Sequence, residues 1–425
     1  MKIQKTLSVE EIDLSSLDFW TLPIEEREGA FATLRAERPI PFMKEAEYAA
    51  FLPKGPGYWS LTRNSDIREA SRNPDIFSSA KGATSIADMP PAFLEFFGGM
   101  INMDDPRHGR QRRIVSRGFT PRALKKIEVN VEARADRVID RIVEQGTCDV
   151  VADLAAPLPL EIICDMMGIP ESQAPVVLQQ TNIILGLGDP EFVEELENVE
   201  VAALQAGSTL AGLMGEMAEE RRKNPKDDLT TALLNTELED GAMTDSELAS
   251  FFILLVVAGN ETTRNSISHG LKALCDFPDE RKRWMQDVEG LMPTAIEEIV
   301  RWSSPVIHMR RTCTQDTTLS GQDFKQGDKV VLWYSSGNRD ETVFDQPYRF
   351  DIGRTPNDHV GFGGPGPHYC LGANLARREI GVMFKKIFER IPDIQVTSPP
   401  VPLQSNFING IKRMECEFSP GKPIG

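Results

Sequence analysis

No apolar run in this sequence is long enough to cross a bilayer. The longest, residues 251–258, has eight residues, against about 20 for a spanning helix. The first twenty residues lack the basic start, apolar centre and small-residue cleavage site of a secretory signal. Cysteine is scarce, at positions 148, 164, 275, 313, 370 and 416, and no two stand closer than 16 residues. There is thus no C-x-x-C pair for structural zinc or dithiol exchange, and the low density fits a reducing compartment. Positive charge is also short: 47 Lys+Arg against 64 Asp+Glu leave a formal −17. That balance argues against a nucleic-acid partner and against a polybasic grip on a membrane surface. Repeats and Ser/Gly- or Pro-rich linkers are missing too. What remains is a cytoplasmic globular chain, and 425 residues with 40% hydrophobic content can bury a large core. The length alone suggests about three domains. The absence of linkers favours one domain over 1–425, with 1–16 as a loosely ordered tail.

Helical punctuation dominates from about residue 120. Thr120-Pro121 reads as an N-cap followed by proline at the first helical position. Ile127, Val131, Val138, Ile139 and Ile142 keep helical spacing until Gly146. Thr244-Asp-Ser-Glu247 is a capping box opening a helix that reaches Phe277-Pro278. Its middle, 251–257, is apolar all round, so that helix must be buried on every side. Strand signals are few: Val306-Ile307, Lys329 to Trp333, a stretch near Phe407 and another within Pro53 to Leu61. The acidic run Asp189 to Glu200 reads as a solvated loop and helix face. The expected fold is mainly α with small β-sheets at one side (α+β).

The most unusual segment is Gly361-Phe-Gly-Gly-Pro-Gly-Pro-His-Tyr-Cys370-Leu-Gly372. Its glycines and prolines make a rigid loop whose backbone can approach another group closely. The loop ends on a lone cysteine, followed by a helical pattern through Ala373, Leu375, Ala376 and Ile380. A sulfur at a helix start, ringed by backbone N–H groups, is favoured as thiolate. With no companion Cys or His at ligand spacing it suits neither zinc nor an iron–sulfur cluster. It does suit the single axial ligand of a haem. The plain alternative is a buried cysteine after a tight turn; the glycine density and His368 weigh against it.

This segment resembles the haem loop of the cytochrome P450 family of haem-thiolate monooxygenases, and Gly366, His368, Cys370 and Gly372 match its signature. The family's aromatic residue normally stands seven before the cysteine. Here that position is Gly363 and the aromatic is Phe362, so the loop carries one extra residue. The resemblance extends over almost the whole chain. Glu298-Ile-Val-Arg301 matches the E-x-x-R helix, and Pro347-Tyr-Arg349-Phe resembles the motif whose arginine completes a buried Glu–Arg–Arg cluster. All three residues are read as structural. The resemblance implies the P450 fold, with haem b between the cysteine loop and the long apolar helix. Cys370 is then the metal ligand, while His108, Arg112, Arg311 and His368 bind the propionates. Ala258-Gly-Asn-Glu261-Thr262-Thr supplies the acid–alcohol pair, Glu261 and Thr262, as the catalytic groups of a proton relay.

More narrowly, segments such as Ile163-Cys-Asp-Met-Met-Gly-Ile-Pro170 and Met309-Arg-Arg-Thr312 look like the mycobacterial methyl-branched lipid ω-hydroxylases and relatives acting on sterol side chains. That likeness implies O2-dependent hydroxylation of an apolar, methyl-branched lipid at a terminal methyl, as a monomer. Electrons then come from a ferredoxin and its reductase, and NAD(P)H serves only through them. Leu254, Val257, Ala258, Val306, Phe407 and Phe97 are the expected substrate pocket, and none offers a charge to anchor a carboxylate. Other terpenoid or polyketide-type metabolites stand as alternative substrates, and a non-catalytic haem sensor as an alternative role. Eight Lys/Arg between 107 and 126, with no Asp or Glu, suggest a basic docking patch for an acidic donor, extended by Arg377, Arg378, Lys385 and Lys386.

Overall fold

The helix Asp245–Asp276 is the axis around which the other elements pack. Its start is fixed locally: the Glu247 N–H donates to the Thr244 hydroxyl at 3.1 Å, and the Thr244 N–H donates to the Glu247 carboxylate at 3.0 Å. Two otherwise orphaned helix donors are thereby satisfied. Helices Pro91–Gly98, Pro157–Met167, Val199–Lys223, Val288–Ser303 and Ala373–Arg390 surround it. Phe251, Phe252, Ile253 and Val256 are consequently all buried. Burying each such side chain contributes about 1.5–3 kcal/mol. The computed structural model describes residues 1–46, 52, 54–116, 121–194, 198–238 and 241–425, without the side chains of 121–129 and 237–238.

The helix runs unbroken through Gly259–Thr262. Thr262 donates its hydroxyl to the Ala258 carbonyl at 2.8 Å. Glycine at 259 has a packing reason, because a Cβ there would lie 2.8 Å from Ile163 Cδ1 on the crossing helix.

Beside this bundle lies a five-stranded sheet, in the order Phe42–Met43, Tyr58–Leu61, Lys329–Trp333, His308–Cys313, Phe77–Ser78. Only the Tyr58–Leu61 and Lys329–Trp333 pair is parallel. Val330 to Trp333 are buried on both faces, which explains their continuous apolar run.

Several expectations are corrected here. Val306 makes only an isolated bridge, to Ile408, and the strand begins at His308. Near Phe407 the strands Val401–Pro402 and Ile411–Arg413 pair antiparallel, and Phe407 itself sits in the turn between them, where the Ser405 hydroxyl accepts the N–H groups of Phe407 and Ile408. The segment 1–16 is no loose tail: Val9, Ile12 and Leu14 are buried against Trp20, Phe31 and Trp333. Asp189, read as solvated, is buried and paired with Lys412 at 2.9 Å. Thr120, most of the 47–53 segment and the centre of the acidic run (195–197) lie outside the described residues.

Two histidines pin the C-terminal turn to this frame. His269 Nε2 lies 2.9 Å from the Asn409 carbonyl, and His308 Nδ1 lies 2.8 Å from that of Asn406. Burial pushes both imidazoles down to about 4, so they are neutral in the fold while the unfolded chain protonates near 6.5. The unfolded state therefore binds more protons between about pH 6.5 and 4. Stability is complete above that window and falls as pH drops through it, by roughly 3 kcal/mol per histidine at most. Melting curves should show a lower midpoint at pH 5 than at pH 7. The His269→Asn/His308→Asn protein should show a shallower fall; an equally steep one would contradict this assignment.

Candidate active site

The cysteine loop rests on a buried ion cluster at the end of helix Val288–Ser303. Glu298 and Arg301, both fully buried, form a bidentate pair with two 2.7 Å contacts. Arg301 also donates to the carbonyls of Asn338 and Pro347, at 2.8 and 3.0 Å. The third member is not Arg349. Its side chain is 55% exposed and lies 3.7 Å from Glu280, and only its carbonyl faces the cluster. Arg354 completes it, donating to Glu298 at 3.1 Å. A buried carboxylate with this many donors is fully satisfied, and removing one partner would cost several kcal/mol. Asn338 carries the order onward, its side-chain oxygen accepting the Val360 N–H at 2.7 Å just before the loop.

Within the loop, Gly366 has φ +144 and an added Cβ would sit 2.2 Å from the Ser71 carbonyl, so only glycine fits. Gly363, at φ +86, makes the turn that the extra residue requires. The Cys370 N–H then donates to the Phe362 carbonyl at 3.0 Å. Phe362 packs under the Arg377 guanidinium, 4.4 Å from the ring centre, and Arg377 is held at 2.5 Å by Glu297. The displaced aromatic thus still lines the cavity that Cys370 faces.

Cys370 is open to this interior cavity. Burial pushes its thiol up, opposed by the Gly372 N–H and by Arg112 and Arg377. The thiolate preference expected from the helix start is therefore outweighed by desolvation, and ligation has to supply the rest. Among the described residues no group of three or more His, Cys, Asp or Glu is placed to hold a bare metal ion.

His108, Arg112, Arg311 and His368 all line the same cavity. The two imidazoles stack with ring centres 4.3 Å apart. Burial, then the nearby Arg311, push His368 down to about 3, and burial with Arg112 lowers His108. Among the described residues, buried His108 Nε2 has no hydrogen-bond partner. Two guanidinium groups and two imidazoles facing one space make a site for anionic groups. Together with one sulfur and a largely apolar wall, this donor set fits haem with its two propionates. Tyr334, which the sequence reading missed, also lines the cavity and bonds Arg311. So does Glu379, nine residues after the cysteine, whose carboxyl burial pushes up to about 8 against a hydrogen bond from Thr263. Neither carries a local motif that could have singled it out.

The acid–alcohol pair is split. Thr262 lines the cavity, whereas Glu261 lies outside its lining, paired with Arg264 and accepting from Asn265 at 3.1 Å. Arg264 reaches on to Asn182 at 3.0 Å. A second cavity, about 310 Å³, adjoins the first, a size suited to a small-molecule ligand. Leu254, Val257, Ala258, Val306, Phe407 and Phe97 all line it. Ile101, Leu254, Ala258, Thr262, Val306 and Met309 border both cavities and form a collar between them. Ile184, Leu187 and Ala203 complete the far wall; nothing in their local sequence separated them from ordinary core. Among the described residues no Asp, Glu, Lys, Arg or His lines this second cavity.

The basic patch is weaker than its composition suggests. Arg377, Arg378, Lys385 and Lys386 are each paired with an acid: Glu297, Glu132, Glu289 and Asp136. Arg110 bonds Glu247 at 3.0 Å, while Arg113 is exposed. Arg117 and the side chains of Arg122, Lys125 and Lys126 lie outside the described residues.

A family model described as cytochrome P450 matches residues 196–392. A methyl-branched lipid omega-hydroxylase of Mycobacterium tuberculosis is 50% identical over 411 residues, covering 96% of this chain and 95% of that protein. A steroid C26-monooxygenase of Mycolicibacterium smegmatis is 37% identical over 95% of this chain and 92% of its own length. Among solved structures, a Mycobacterium marinum cytochrome P450 in complex with pseudoionone superposes with a TM-score of 0.92 at 40% identity. That likeness covers 96% of this chain and 98% of the other.

Proposed function

The chain belongs to the cytochrome P450 family, and on that premise we propose that it is a haem-thiolate monooxygenase that hydroxylates methyl-branched lipids at a terminal methyl. The observation that carries this reading is half-identity, over nearly the full length, to a methyl-branched lipid omega-hydroxylase. The 37% identity to steroid C26-monooxygenases points to the same kind of carbon.

Haem, when bound, supplies dioxygen activation at an iron ligated by the Cys370 sulfur. The chain's own residues do the rest. His108, Arg112, Arg311 and His368 hold the propionates. Thr262 presents a hydroxyl at the collar, where a proton has to be held and passed on. Glu261, paired with Arg264, acts one step behind it. The apolar walls of the second cavity exclude water and, among the described residues, carry no charge that would fix a carboxylate there. Phe97, Val257 and Phe407 enclose the lipid chain, and the collar residues admit one end of it.

Electrons reach the haem from a redox partner, which we assign to a ferredoxin docking near the exposed Arg113. The reading places the enzyme in the cytoplasm; among the described residues no helix is long and apolar enough to cross a membrane.

Oxidising a strong terminal C–H in preference to a weaker internal one requires position to override reactivity. The purified enzyme, supplied with ferredoxin, reductase and tetrahydrogeraniol (a saturated methyl-branched alcohol), should give mainly the terminal diol. Trimming the collar with Met309→Ala should raise the internal products by about tenfold or more, since small displacements of a reacting carbon carry such costs. Mainly internal oxidation by the unaltered enzyme would overturn the terminal-methyl reading.

A further inference from the structure

His308 is the first residue of its strand, opposite Trp333, and is 1% exposed. Its ring is wedged between Trp333 and Phe407, with centres 5.1 and 5.6 Å away. Nδ1 lies 2.8 Å from the Asn406 carbonyl. A carbonyl can only accept, so Nδ1 carries the proton and Nε2 is left as a bare acceptor. Among the described residues that buried Nε2 has no partner. A buried unpaired acceptor is destabilising, and a phenyl ring would fill the same slot between two aromatic neighbours without it. Packing therefore does not explain histidine here. The Nδ1 bond to Asn406 does.

That bond acts on the substrate wall. Ser405, Asn406, Phe407 and Ile408 line the second cavity beside the collar residues Val306 and Met309. The turn is stapled to the segment before the strand: Ile307 N–H donates to the Phe407 carbonyl at 2.8 Å, and Asn409 N–H to that of Pro305 at 3.0 Å. Asn409 also donates its amide to the Ser303 carbonyl at 2.6 Å, while His269 of the long helix holds the Asn409 carbonyl. Phe407 is thus flanked by carbonyls fixed from both sides by neutral imidazoles, and its own ring leans on one of them.

We propose that His308 is a specificity-determining positioning residue: through Asn406 and the Phe407 ring it fixes the cavity wall beside the collar, and so selects the carbon presented for oxidation. The inference rests on the monooxygenase reading above. It does not depend on the terminal methyl being the preferred carbon.

His308→Phe keeps the ring and removes the donor. His308→Asn keeps a donor at the position of Nδ1 and removes the ring. With tetrahydrogeraniol as probe, His308→Phe should change the terminal-to-internal product ratio about tenfold, whereas His308→Asn should keep the larger part of the unaltered ratio. The heat-measured dissociation constant for the same probe should move by less than the ratio does. Because the effect runs through Phe407, His308→Phe in a Phe407→Ala background should add nothing further. An unchanged ratio in His308→Phe, or a full additional shift in the Phe407→Ala background, overturns the proposal. If His308→Phe does not take up haem, Phe407→Leu and His308→Asn decide it: the ratio has to move in the first and hold in the second. Should the unaltered enzyme prove to oxidise internal carbons, the terminal-methyl reading fails, yet these ratios still test His308.

Discussion

Cys370→Ser should fold, take up haem poorly, and lose the red-shifted carbonyl spectrum that marks a thiolate ligand to ferrous haem. The expectation of a folded protein comes from the loop. What shapes it is backbone: the Cys370 N–H to Phe362 carbonyl bond and the glycines at 363 and 366. Serine preserves all of these and nearly matches cysteine in volume. Its hydroxyl, far less acidic than a thiol, is a poor ligand for iron. None of the other cysteines can substitute. Cys148, Cys164, Cys275, Cys313 and Cys416 all lie outside the lining of the cavity that Cys370 faces. Serine at any of those five positions should leave the carbonyl spectrum unchanged. A thiolate spectrum surviving in Cys370→Ser would remove the central assignment.

Thr262→Ala should bind substrate and accept electrons normally but spend most of them on peroxide. The fold gives no reason for collapse: alanine is the better helix former by a few tenths of a kcal/mol, and the lost bond to the Ala258 carbonyl is a local one. The chemistry is another matter. Thr262 is the hydroxyl that the helix brings to the collar, while Glu261 is tied to Arg264 away from the lining. Loss of a positioned proton-transfer group costs ~10²–10⁴ in rate. Product formed per NAD(P)H consumed is the measurement. Unchanged coupling would move the relay elsewhere, and Glu379, a cavity acid raised to about 8, would be the next group to replace.

How much of this was legible beforehand depends on how local the signal was. The long helix was readable because its capping box and its apolar centre are contiguous in sequence. The cysteine loop was readable because close backbone approach leaves glycine at fixed positions whatever surrounds it. Arg349 was misassigned for the opposite reason. Arg349 and Arg354 both follow the same proline, and which of them meets Glu298 depends on how residues 345–354 wrap the helix end. There the Arg354 guanidinium also donates to the Asp345 and Arg349 carbonyls, at 2.7 and 2.9 Å. Asp189 was misread because its partner Lys412 lies 223 residues away, and nothing near an acidic run reveals a distant counter-ion.

The sequence by itself determined the cysteine loop, the buried helix and the threonine upon it, since each is specified by neighbours within a few turns. Tertiary structure alone decided that Glu261 turns to Arg264 and away from the cavity, which arginine closes the buried cluster, and which carbonyls beside Phe407 two histidines hold. Those outcomes turn on side-chain directions and long-range closures, and desolvation on folding, not residue order, sets which charges are paired and which protons are kept.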